Sequence, residues 1–511
     1  MPASRSGRAL ARRLLDAGLA HPDVQHEDVP VASDVRAARD VSAARDVTVV
    51  IPVRDRARQL ARCLAALTGP GRPPDVPDVP AAPAALPVVV ADDGSADADG
   101  IAAVTAAAGA RLVRRPVTGG PGAARNSGAA VCDTPFIAFV DSDCVPRPGW
   151  LEALLPHFAD PAVGAVAPRI VSHEPPRTWL GRYEAVDSSL DRGPRESLVA
   201  PGTRVPYVPT ATLVVRRDAI GAGFAEDIMA GEDVDFVWRL AAAGWRVRYE
   251  PRSQVGHEHR TRLRPWFSRR RHYGTSAAVL ESRHPGTVRP LYVSRWTAAA
   301  WITALAGYPV AAGAVVTAVT VLLARRISSL ADSPSAPSGV ARGPDAGVPS
   351  GVVRGPDAAP SGVARRADVA PSGAACCADA VPSAGACPAV LPSMTTLRLA
   401  GRLAAGGTVA AGRPIGSAIS RAWWPVAVPA AIAVRRLRLP LAALVLAPPI
   451  LDWLDRRPPV SPAHYVAGRL AGDFAYSIGL WEGCTRHRDF RALLPAAKRK
   501  ARHSLFLARV T

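Results

Sequence analysis

From Val47 onward the chain alternates short, continuously apolar runs with helical patterns, and nothing else in it narrows the possible folds as much. Val47–Val53, Leu86–Ala91, Arg111–Val113 and Phe136–Val140 read as strands, with a helix reaching Leu67, another near Ala98–Ala108 and a third from Ala123 between them. Strands that are apolar at every position are buried on both faces, so the alternation predicts a mostly parallel sheet with helices packed on both sides. Val163–Val171, Leu213–Val215 and Trp245–Tyr249 continue the strand series, and Glu232–Ala242 continues the helices. With 511 residues, 48% of them hydrophobic, the chain is long enough for several structural units and a substantial core.

This α/β pattern occupies residues 47–260. Residues 1–46 form an N-terminal extension, in which a short amphipathic stretch, Arg8–Leu19, is followed by polar filler. Met1–Ala20 lacks an apolar h-region, so no signal peptide is expected there. Residues 261–330 open with a basic, aromatic segment and then run 29 residues, Trp296–Ala324, without a charge. That run is long enough to cross a bilayer, although a pair of core helices broken near Gly307–Pro309 satisfies the same pattern. At 331–395 the phrase PSGVARGPDA recurs in degraded form, with too little apolar surface to bury, and a disordered insert is expected. Many of the 50 prolines fall in it. In 396–511, a helical C-terminal region, Ala422–Val434 and Leu439–Leu451 are apolar but too short at 13 residues each to span a membrane separately.

The net charge of +19 admits nucleic acid, an anionic membrane or anionic substrates. Lysine occurs only at Lys498 and Lys500, and no long basic run or zinc-finger spacing accompanies the arginines. Arg325–Arg326 and Arg435–Arg438 flank the apolar segments, which points to the cytoplasmic membrane face rather than to nucleic acid. Seven cysteines, none in a CxxC pair, indicate a reducing compartment without disulfides.

Five clusters carry chemistry. Asp92-Asp93-Gly94-Ser95 leaves a strand at the edge where open α/β sheets bind ligands, and either carboxylate can accept hydrogen bonds from a nucleobase or ribose. Ordinary turn chemistry explains the same residues. Asp141-Ser142-Asp143 leaves another strand, and two carboxylates at i and i+2 can face one Mg²⁺ or Mn²⁺ held against a diphosphate. Gly231-Glu232-Asp233 opens a helix. Asp233 is a candidate general base and Glu232 its catalytic neighbour, with helix capping as the bland alternative. His257, with His259 close behind, is positioned to complete a metal shell or to touch the diphosphate. Gly119–Gly128 is a glycine-rich turn feeding a helix, from which Arg125 can meet a phosphate. It matches neither the dinucleotide fingerprint nor the P-loop.

The ordered set IPVRDR (Ile51–Arg56), ADDGS, GGPGAARNSG, FVDSDC and GED resembles the inverting family 2 glycosyltransferases of the GT-A fold. The segments ARNSGAA, FVDSDCVPRPGWLEALLPHF, VPYVPTATLVVRR and IMAGEDVDFVWRL, with the tail FAYSIGLWEGCTRHRDFRALLP, resemble more narrowly the mycofactocin-system glycosyltransferases. The resemblance implies a UDP-sugar site using Pro52, Asp92, Asp93, Arg125, Asp141 and Asp143. It also implies a divalent cation on Asp141, Asp143 and His257, and Asp233 as the base. UDP-glucose is the implied donor and a mycofactocin-type acceptor the implied partner, extended in β-1,4-linked glucose chains. Two other readings are compatible with the residues. One is a membrane-associated family 2 enzyme making cell-envelope polysaccharide; the other is a non-catalytic sugar-nucleotide-binding protein anchored at the membrane.

Overall fold

The computed structural model of the protein describes residues 46–68, 86–331 and 393–497. The stretch to residue 45, nearly all of the 331–395 segment and the tail from Lys498 lie outside the described residues. The elements run β1 (Val47–Val53), α1 (Ala57–Thr68), β2 (Val88–Asp92), α2 (Ala98–Ala107), β3 (Arg111–Arg114), α3 (Gly120–Ala129), β4 (Phe136–Val140) and β5 (Cys144–Pro146). Next come β6 (Val163–Ser172), α4 (Trp179–Asp187), β7 (Ser197–Val199), β8 (Thr212–Arg216), α5 (Glu232–Ala242), β9 (Arg246–His257) and α6 (Leu263–Arg283). The remainder is β10 (Tyr292–Val293), α7 (Arg295–Leu305), α8 (Pro309–Ala331), α9 (Met394–Ala410), α10 (Gly412–Ala418), α11 (Trp424–Ala433), α12 (Arg438–Arg456), α13 (Pro462–His487) and β11 (Ala496–Ala497). The chain divides into two compact units, one of residues up to Ala312 together with Thr408 onward, the other Gly313–Gly407. The large sheet belongs to the first.

That sheet has nine strands in the order β3-β2-β1-β4-β8-β6-β9-β5, with β7 also on β9. Every residue of β1 is buried, and its side chains alternate between two cores. Val47, Val49, Ile51 and Val53 pack with Leu60 and Leu64 of α1 on one face. Val50 joins Val89, Phe139, Leu213 and Phe236 on the other. This is the continuous apolar strand expected from the sequence, explained by helices on both faces.

The sheet is mixed. Strands β1 to β4 pair parallel, whereas β8 inserts antiparallel between β4 and β6. A run as short as Leu213–Val215 carries no directional signal, which is why the pattern alone predicts a mostly parallel sheet. Strand β9 is parallel to β6 and runs on to His257, past the end expected at Tyr249. Pro251 is the reason for the difference. It removes a ladder donor, and the register shifts there, with Glu250 opposite Pro168 but Gln254 opposite Arg169. In consequence the C-terminal ends of β1, β2, β4 and β9 and the N-terminal end of β8 all reach one edge.

The uncharged run 296–324 is not one helix. Ser294 caps α7, whose side chain accepts from the Thr297 N–H. The chain then breaks at Gly307, with φ +90°, before Pro309 opens α8. Pro309–Ser328 and Arg435–Arg456 are each long and apolar enough to cross a membrane, and each is mostly unburied. The second exceeds the 13-residue run read from the sequence because the helical stretch opens earlier, at Arg435, and continues past Leu451 to Arg456.

Candidate active site

Backbone pairing brings the acids and the histidine together. Strand β5 pairs antiparallel with β9, with Cys144 opposite His257, so the residue before Cys144 adjoins the imidazole. Asp143 Oδ1 stands 3.6 Å from His257 Nε2, and its Oδ2 accepts from Arg56 Nη1. Burial would raise the Asp143 pKa, but the charges of His257, Arg56 and Arg260 outweigh it and hold the group below the usual carboxylate value.

Arg125 joins two of the motifs. Its helix α3 runs beneath the edge, and the guanidinium, almost wholly buried, donates from Nη2 to Asp141 Oδ1 at 2.7 Å and from Nη1 to Glu232 Oε1 at 2.9 Å. Helix α3 approaches closely enough that a Cβ on Gly122 would meet the Ala225 carbonyl at 2.8 Å. Asp141 and Glu232 therefore face a buried cation rather than open space. Asp233, half-buried on the cavity wall, accepts from the Val234 N–H at 2.8 Å and pairs with no arginine among the described residues. Burial, and after it the Glu232 charge, push its pKa up to about 6 against the opposing pull of Arg125.

The two acids after β2 differ in kind. Asp92 is wholly buried, accepting from the Ser95 N–H at 3.0 Å and from Arg114. Asp93 faces the cavity, yet it accepts four hydrogen bonds of 2.8–3.0 Å, from Arg115 Nε, Thr118 Oγ1 and the N–H groups of Gly119 and Gly120. Its pKa is lowered: those bonds and the Arg115 charge outweigh burial. Asp93 thus ties the glycine-rich turn to the strand end.

A cavity of about 610 Å³ unites these groups, lined by Pro52, Asp93, Arg125, Asp141, Asp143, Glu232, Asp233 and His257 among others. Among the described residues no cluster of three or more His, Cys, Asp or Glu side chains is assembled for a metal. Asp143 and His257 do form a two-donor pair at the cavity wall. Mg²⁺ and Mn²⁺ sites that use substrate phosphates need only one or two protein ligands, so the pair fits such an ion. Asp141, by contrast, is directed at Arg125. The arginines holding these acids, Arg56, Arg114 and Arg115, are not singled out by the sequence. The general signal, acid clusters in an arginine-rich chain, does not say which guanidinium meets which carboxylate.

Residues 48–223 match the family described as glycosyl transferase family 2, and residues 136–340 match glycosyl transferase family group 2. The pre-mycofactocin glycosyltransferase of Mycobacterium tuberculosis is 38% identical over 502 residues, covering 95% of this chain and 86% of that protein. The N-acetylglucosaminyl-diphospho-decaprenol L-rhamnosyltransferase of the same organism is 31% identical, over 41% of this chain and 78% of its own. Among solved structures, a mannosyltransferase of Pyrobaculum calidifontis in complex with GDP-Man and Mn²⁺ aligns with 20% identity and a TM-score of 0.34, covering 46% of this chain and 64% of that one.

Proposed function

The chain belongs to glycosyl transferase family 2 and, within it, to the pre-mycofactocin glycosyltransferases, and from that membership we propose that it transfers glucose, with inversion, from UDP-glucose to mycofactocin or its precursor. Repeated transfer builds a β-1,4-linked glucose chain on this peptide-derived cofactor. The observation that carries the reading is Asp233, a carboxylate with its pKa raised to about 6 in the same cavity as the Asp143–His257 pair.

Asp233 accepts the proton of the acceptor hydroxyl as that oxygen bonds to the anomeric carbon. The bond from that carbon to the diphosphate breaks on the opposite face, and UDP leaves with the electron pair. The transition state is oxocarbenium-like, so no protein nucleophile is required. A divalent cation on Asp143 and His257, with Asp141 beside them, would neutralise charge growing on the leaving diphosphate. Pro52 and Asp93 border the nucleotide end, with Asp92 supporting the strand end behind them. Arg125 fixes Asp141 and Glu232 relative to each other, so the base helix keeps its position against the DSD loop.

A second reading, cell-envelope polysaccharide synthesis at the cytoplasmic membrane face, is favoured by the two apolar helices. Mass spectrometry of the full chain incubated with Mn²⁺ or Mg²⁺, a panel of UDP-sugars, and either pre-mycofactocin or a polyprenyl-linked saccharide separates the two. The expected result is stepwise hexose addition to pre-mycofactocin from UDP-glucose, abolished by EDTA. Product on the lipid-linked acceptor alone would overturn the first reading.

A further inference from the structure

Arg56 stands apart from the other arginines that hold the acids. Arg125 is 3% exposed and bridges two carboxylates, and Arg115 is bonded to Asp93, to Ser127 Oγ and to the Ala123 carbonyl. Neither can turn away without breaking several bonds at once. The Arg56 side chain is 38% exposed, lines the cavity and, among the described residues, bonds to Asp143 alone. A single exchange of partner frees it.

Its backbone, by contrast, is fixed. Asp55, at φ +55°, donates its N–H to Ser95 Oγ at 2.9 Å and accepts from the Ala96 N–H at 2.7 Å through Oδ1. A non-glycine residue in the left-handed region persists where such contacts hold it. The Arg56 carbonyl, next in the chain, accepts from the Leu60 N–H at 2.9 Å and so opens α1. A rigid turn between β1 and α1 therefore carries a long, half-exposed cation beside the DSD loop.

The charges at that loop give the cation a consequence. Asp141 is engaged by Arg125, which leaves Asp143 to supply the negative charge beside His257. The Arg56 guanidinium neutralises it, and Arg260 and Arg269 add positive charge to the same cavity. An imidazole and a neutralised carboxylate attract a divalent cation only weakly. A nucleotide diphosphate brings negative charge of its own, and the planar guanidinium fork matches phosphate oxygens as well as it matches a carboxylate.

We infer that Arg56 is an exchangeable cation: paired with Asp143 it keeps the Asp143–His257 pair closed to a divalent ion, and when the donor diphosphate arrives it passes to the phosphate oxygens, leaving Asp143 to the ion. Donor and ion then bind as a unit, each strengthening the other. The inference rests on the cation site proposed at Asp143 and His257.

The test titrates the full chain with Mn²⁺ in the absence of UDP, reading free Mn²⁺ by electron paramagnetic resonance, for wild type, Arg56→Gln and Arg56→Lys. Arg56→Gln is expected to bind Mn²⁺ about tenfold more tightly than wild type, because one positive charge beside the site is gone. Arg56→Lys keeps that charge, and its Mn²⁺ affinity stays within about twofold of wild type. In saturating Mn²⁺, the affinity of Arg56→Gln for UDP, measured by calorimetry, is expected to fall about tenfold. If Arg56 served only to hold Asp143 in place, Arg56→Gln would weaken Mn²⁺ binding instead. That sign, an unchanged Mn²⁺ affinity in a variant with wild-type thermal melting, or an unchanged UDP affinity would each overturn the inference. If UDP binds wild type equally with Mn²⁺ and with EDTA, the cation site itself falls and the inference with it.

Discussion

Asp233 differs from every other acid of the site in pairing with no cation among the described residues. Arg125 takes Asp141 and Glu232, Arg56 takes Asp143, and Arg114 and Arg115 take Asp92 and Asp93. Burial and the neighbouring Glu232 charge then disfavour ionisation of Asp233 alone, raising its pKa to about 6. The base proposed at Asp233 must be deprotonated to work, so kcat/KM is expected to fall as pH drops through about 6. Asp143 contributes nothing to that limb, because its pKa is shifted downward. Asp233→Asn should cost about 10²–10⁴-fold in transfer rate while UDP affinity, measured by calorimetry, stays near wild type. Stability should move the other way. Between the ordinary carboxylate value and about 6 the folded protein holds a proton that the unfolded chain releases, so wild-type stability falls across that range as pH rises. Asp233→Asn removes that loss and should melt higher than wild type above pH 6 but not at pH 3.8 or below. Transfer retained at wild-type rates would remove Asp233 from the role. At this scale the acids were legible in the sequence, since short motifs at strand ends expose them. Which arginine meets which acid was not, because Arg125 and Glu232 are brought together by the fold from 107 positions apart.

The C-terminal helix α13 owes its place to close packing on α6. A Cβ on Gly479 would lie 1.7 Å from the Arg271 carbonyl oxygen, and one on Gly274 would lie 2.0 Å from that of Tyr476. The two backbones therefore touch where only hydrogen atoms fit between them. Tyr476 and Asp473, one and two turns before Gly479, reach the cavity from this crossing. Gly479→Ala must push the helices apart, with an expected loss of about 1–3 kcal/mol in chemical denaturation. Gly406→Ala is the matched control, because its added Cβ meets nothing within 4 Å and alanine favours a helix. Equal loss in both variants would show that the crossing has no special role. Sequence periodicity showed that strands and helices alternate but not how helices meet. The tail reads as helical by pattern, whereas the contact depends on glycines at Gly274 and Gly479 that lie 205 positions apart. The antiparallel entry of β8 was equally hidden, since three apolar residues look the same in either direction.

At the scale of the whole molecule, the excess of basic residues has a structural location. Arg435, Arg436 and Arg438 sit at the start of the apolar stretch Arg435–Arg456, next to the exposed Val426, Ile432 and Leu439. On one face, by contrast, α12 is packed against protein. Leu444, Pro448 and Pro449 are buried, and a Cβ on Gly416 would meet the Leu444 carbonyl at 2.0 Å. Near its end, Asp455 pairs with Arg413 at 2.8 Å. A helix covered by protein on one side, apolar on the other and basic at its entrance is suited to lying in the headgroup region of an anionic leaflet. The full chain should therefore co-sediment with phosphatidylcholine vesicles containing phosphatidylserine, and less with phosphatidylcholine alone. Changing Arg435, Arg436 and Arg438 to Gln should weaken binding by about 1 kcal/mol per arginine at low ionic strength. At 1 M salt, where the screening length falls to about 3 Å, the difference between the variant and wild type should vanish while apolar binding persists. Binding that ignores both the arginines and the anionic lipid would leave only the apolar surface. The charge would then have to be accounted for by the substrates within the cavity, where Arg260 and Arg269 already stand among the lining residues.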